Sequence, residues 1–139
     1  MPETQLRGYW KYCGLNIFML SRLWKERLES RLRAYNITLQ ELMTLRLIAN
    51  DVPVTREDLK TYIGEYELPL KMLEGKSLCQ SKSDDEGANI SPTQAGLELV
   101  QQTENILKTQ EEFFMGHLPR ATRKGVNLTL ESALDKSLT

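Results

Sequence analysis

Few side chains in this chain are of a type and spacing to do chemistry. His117 is the single histidine, so no histidine pair can ligate a metal or serve a catalytic triad. Cys13 and Cys79 are the two cysteines, and neither lies in a CxxC arrangement. That argues against a disulfide framework and for a reducing compartment. The chain has no glycine-rich phosphate loop and no convergent carboxylate pair beside a nucleophile, so no enzyme, metal or cofactor is expected. What remains is charge that could meet phosphate: Lys71, Lys76 and Lys82, opposed a few residues on by Asp84, Asp85 and Glu86.

The elements that must position these charges run from Thr55 to Gly96. Thr55-Arg56-Glu57-Asp58-Leu59 opens a helix with a capping box, Leu59, Tyr62 and Ile63 supply its apolar side, and Gly64 stops it. Pro69 fits only the first turn of the next helix, which is therefore short, about Leu68 to Lys76. Leu70, Leu73 and Met72 are read as its inward side, leaving Lys71, Glu74 and Lys76 outward. Leu78 to Lys82 and Ala88 to Ile90 read as two strands around a Ser83–Gly87 tip. Ser91-Pro92-Thr93-Gln94 then reads as a helix start, with Ser91 as cap and Pro92 at the first helical position. Helix, turn, short helix, hairpin and helix is the layout of a winged helix-turn-helix, a DNA-reading arrangement.

Long helices flank this reader. Leu6, Trp10, Cys13, Ile17, Leu20, Trp24, Leu28 and Leu32 recur at gaps of three and four, one stripe on a first helix that Asn36 ends. Leu15, Phe18, Met19 and Leu23 add a second apolar face, as on a helix that packs on its own domain with one side and on a partner with the other. Its arginines and lysines are read as its solvated face. Thr38-Leu39-Gln40-Glu41 opens the second helix as another capping box, with Leu42, Leu45, Ile48 and Ala49 inward. Beyond the hairpin, Leu99, Thr103, Ile106, Gln110, Phe113 and His117 line up on a fifth helix, which Leu118-Pro119 breaks. Val126, Leu130, Leu134 and Leu138, spaced by four, make a final helix.

The 139 residues suit one domain, with residues 1–35 and 92–139 as dimerisation helices, 36–91 as the reader and 78–91 as the wing. The fold expected is mainly α. The net charge of −1 is low for a phosphate binder, and its distribution is uneven. Residues 1–46 carry eight basic and four acidic groups, whereas residues 55–91 carry five basic and eight acidic ones. No apolar run approaches the roughly 18 residues of a membrane span, and the start has no basic leader, so a cytoplasmic protein without a membrane partner is expected.

The order and spacing of four stretches resemble the MarR/SlyA family of bacterial winged-helix regulators over nearly the whole chain. They are Tyr35-Asn36-Ile37-Thr38-Leu39-Gln40, Glu57-Asp58-Leu59, Leu73-Glu74-Gly75-Lys76-Ser77-Leu78 and Thr93-Gln94-Ala95-Gly96. The resemblance implies a homodimer that binds double-stranded DNA through its winged helix-turn-helix and acts in transcriptional control. It also implies a small phenolic-ligand pocket between the first helix and the reader, for which Tyr9, Trp10 and Tyr12 are candidates, although these aromatics fit a dimer core equally well. Cys13 lies near the position where the organic-peroxide-sensing OhrR branch keeps its reactive cysteine, although the tyrosine which that branch places four residues on is Ile17 here. The alternative for Cys13 is a buried structural cysteine of the stripe.

Three departures bear on function. The family places about four more residues between the positions of Leu59 and Leu73, so the reading helix has lost a turn. The wing position where the family has an arginine is Gly87. Asp84, Asp85 and Glu86 crowd the wing tip, where a single like-charge contact at ~4 Å and an effective dielectric of ~20 costs about 4 kcal/mol before screening. A second reading is therefore open beside DNA binding: a winged-helix dimer that has kept the fold, lost DNA and regulates through a protein partner or a small ligand.

Overall fold

The computed structural model describes residues 12–50, 52–81 and 90–138. The stripe of the first helix becomes α1 (Cys13–Leu32), followed by one 3₁₀ turn (Arg33–Tyr35) and by Asn36 in the left-handed region at φ 53°. Asparagine tolerates that conformation, and it ends the helix as its position suggested. Trp24, Leu28 and Leu32 pack inward, the two leucines with no exposure. Farther forward the stripe is not covered by the described residues: Cys13, Ile17 and Leu20 are exposed. The expectation of a buried Cys13 is corrected accordingly.

The reader follows as α2 (Leu39–Ile48), α3 (Arg56–Ile63) and α4 (Glu67–Gly75). Leu42, Leu45, Leu59 and Leu73 from these three helices are almost or fully buried in one core with Leu28 and Leu32 of α1. Each such leucine contributes about 2 kcal/mol of hydrophobic free energy. Two inward assignments fail. Tyr62 and Met72 are 59% and 44% exposed, because the eight- and nine-residue helices have room for only a narrow buried stripe, filled by Leu59 in one and by Leu70 and Leu73 in the other. Gly64 between α3 and α4 takes φ 83°, which a side chain would resist, and so turns the chain sharply.

The hairpin is short: β1 (Cys79–Ser81) pairs antiparallel with β2 (Ile90–Pro92), Cys79 opposite Pro92 and Ser81 opposite Ile90. Ser91 and Pro92 are therefore strand residues, not the cap and first residue of a helix. Thr93 is the cap instead, its Oγ1 accepting from Gly96 N–H at 3.1 Å and donating to the Ser77 carbonyl at 2.6 Å. Having no N–H to give a ladder, Pro92 is tolerated at the end of an edge strand. From Thr93 runs α5 (Gln94–Met115), which packs along α1 and against α2 and β2. Gly96 is fixed by close approach, since a Cβ there would collide with the Leu78 carbonyl oxygen. The last helix, α6 (Arg120–Leu138), buries none of its residues.

Candidate nucleic-acid interface

The geometry of the reader is decided by what α4 buries and what it shows. Pro69, Leu70 and Leu73 turn into the core, and Glu67, Leu68, Lys71 and Met72 face outward. No side chain caps its N-terminus; Tyr66 holds that position in a helical conformation. Glu67 at the first helical position supplies a carboxylate to the positive end of the helix dipole, which explains one of the acids without any ligand.

Around this N-terminus lies an open groove of about 830 Å³. Lys60 and Lys71 reach it with Glu57, Glu65 and Glu67, so acids outnumber bases by one. Arg56 joins Lys71, Glu67 and Ser81 around a smaller depression of about 310 Å³ on the wing side of α4. Arg56 and Lys60 were not singled out in the sequence. Their spacing of four places both on one side of α3, a signal that was present but not distinguishable from ordinary solvated charge. Lys71 makes no ion pair among the described residues.

Lys76 is differently placed. Its ammonium donates to the Asn36 carbonyl at 2.6 Å and to Glu41 Oε1 at 2.5 Å, and Thr38 Oγ1 donates to Glu41 Oε2 at 2.8 Å. Two of the three ammonium donors are thus occupied inside the protein. The outward role expected for Lys76 gives way to an internal one, joining the end of α4 to the start of α2. Glu41, 4% exposed, is the residue that sequence reasoning had assigned only to a helix cap. Lys82 and the tip residues Asp84, Asp85, Glu86 and Gly87 lie outside the described residues.

Neither cysteine approaches a site. Cys79 is buried on β1, where desolvation and the nearby Glu74 carboxylate push its thiol up to about 11, so it stays protonated and unreactive at neutral pH. Cys13 is exposed on α1. Of the three pocket aromatics, Tyr9 and Trp10 lie outside the described residues and Tyr12 is exposed ahead of α1. A groove of about 340 Å³ does lie between α1 and the reader, but Lys25, Glu29, Gln40, Leu68 and Met72 line it, without Tyr12.

No family model and no curated protein matches the chain. Solved structures do. The S. aureus MepR–DNA complex superposes with a TM-score of 0.74 at 21% identity, covering 90% of this chain and 98% of that one. A MarR transcriptional regulator from Methanosarcina mazei Go1 gives 0.79 at 17% identity over 90% and 94%. CouR from Rhodococcus jostii RHA1, solved bound to p-coumaroyl-CoA, gives 0.78 at 14% identity over 89% and 92%. One leading helix, three reader helices, an antiparallel wing and two trailing helices in this order make the protein a winged helix with the fold of the MarR transcriptional regulators.

Proposed function

We propose that the protein is a non-enzymatic cytoplasmic transcriptional regulator that binds duplex DNA as a homodimer, each protomer laying α4 in a major groove. The outward face of α4 carries this reading. On a helix-turn-helix, the second helix contacts base edges with its N-terminal residues, and those residues here are uncovered beside Lys71, Lys60 and Arg56. The likeness to MepR, solved on DNA, supports the same use of the fold. Dimerisation is supported by the apolar residues left open on α1 and α6, among them Ile17, Phe18, Leu130 and Leu134.

A second reading rests on the groove's excess acid and on the internal role of Lys76: a partner protein with a basic segment would meet less repulsion there than phosphate. Titration of the purified protein against its own promoter region and against random duplex, from about 50 to 200 mM salt, separates the two. Promoter-selective binding that weakens with salt is expected, and replacing Lys71 by Ala should lower the salt slope by about one. Absence of binding at the lowest salt would overturn the DNA reading and favour the protein partner.

A further inference from the structure

The outward face of α4 has an unusual composition for a base reader. Its sequence, Glu67-Leu68-Pro69-Leu70-Lys71-Met72-Leu73-Glu74-Gly75, contains no Arg, Asn or Gln. The helix therefore lacks the side chains that make bidentate bonds to guanine or adenine, Lys71 being its one donor toward guanine. Instead it exposes Leu68, at 70%, and Met72, one turn on along the same side. The single apolar feature on the floor of a major groove is the thymine methyl group. Of the two amino donors in that groove, cytosine N4 and adenine N6, the cytosine amino group is the customary partner of a carboxylate, and Glu67 precedes Leu68 directly.

We infer that, given DNA binding as proposed above, α4 selects pyrimidines by their groove edges: Leu68 and Met72 contact thymine methyls and Glu67 accepts from cytosine, while Lys60 and Lys71 hold phosphate or guanine. Four residues of helix rise about 6 Å. Base pairs follow at about 3.4 Å, so the two thymines recognised in each half-site lie about two steps apart. Gln40 of α2 lines the same grooves as Leu68 and is the amide within reach of an adjacent adenine.

The test uses the full chain and a random pool of 30-base-pair duplexes, enriched by rounds of binding at low salt. Each thymine of the winning duplex is then replaced singly by deoxyuridine, which removes only the methyl group. Affinity should fall about three- to tenfold at two positions per half-site, the size of one buried methyl contact. Leu68→Ala, at an exposed position that does not support the core, should abolish the loss at one of them. A duplex that enriches but binds equally well with uracil throughout would overturn the inference and leave DNA binding standing. Binding that is also indifferent to Leu68→Ala would assign the Leu68–Met72 stripe to a protein partner. Failure of any duplex to enrich would sink the DNA reading and the inference together.

Discussion

Ser77 holds φ 59° just past the end of α4, a conformation in which glycine is at ease and serine is not. The bonds around it form a Schellman cap: Ser77 N–H reaches the Glu74 carbonyl at 3.0 Å and Leu78 N–H reaches the Leu73 carbonyl at 2.9 Å, with Leu78 packed against the core that holds Leu73. A left-handed serine costs roughly 1–2 kcal/mol, and glycine returns part of that as unfolded-chain entropy, so Ser77→Gly should stabilise the fold by about 0.5–1 kcal/mol. Urea unfolding of the two proteins checks this, and an unchanged or lower midpoint would mean that the serine side chain makes a compensating contact. The stop after α4 was legible in Leu73-Glu74-Gly75-Lys76-Ser77-Leu78. The residue that takes the left-handed turn was not, because Gly75 is the better local candidate and yet sits inside the helix.

Among the described residues, side-chain hydrogen bonds tie α4 at its last turn, while its first turn is held by the packing of Pro69 and Leu70. Its last turn is tied by Lys76 to Glu41 and the Asn36 carbonyl, and by Glu74 to Ser81 Oγ at 2.9 Å, whereas its first turn has no side-chain cap. Removing one partner of a part-buried ion pair strands the other, so Glu41→Gln and Lys76→Met should each cost about 2–3 kcal/mol. The double variant should cost about 1–2 kcal/mol less than their sum, as a double-mutant cycle of unfolding free energies will read. Additive losses would mean that the two groups act independently. Two capping boxes were read in the sequence, and they separate here. Thr55 and Asp58 form the reciprocal pair, with Asp58 accepting from Thr55 N–H at 2.9 Å. Thr38 caps its helix too, but there the Glu41 carboxylate accepts from the Thr38 hydroxyl and from a lysine 35 residues later. Local spacing specifies which backbone donors need a partner; tertiary packing decides where the carboxylate goes.

Over the whole molecule, the helices were legible from apolar spacing, but which apolar faces one chain covers by itself was not. Leu130, Leu134 and Leu138 repeat as cleanly as Leu28 and Leu32, yet only the latter two are buried. Periodicity specifies a face and is silent on whose surface meets it. If the protein is the homodimer proposed above, the double substitution Leu130→Lys, Leu134→Lys should leave helix content intact and shift it to monomer in sedimentation at micromolar concentration, with a loss of the proposed DNA affinity. A dimer unmoved by both charges would place the interface elsewhere. The contact at Gly96 links α5 to the segment between α4 and the wing. There the approach is backbone to backbone, and the Thr93 hydroxyl bridges to the Ser77 carbonyl beside it. In the proposed homodimer, a tilt of α5 against the second copy would pass through this joint to α4 as through a rigid lever. The spacing between the two α4 helices of that proposed dimer would thereby be geared to how the long helices cross.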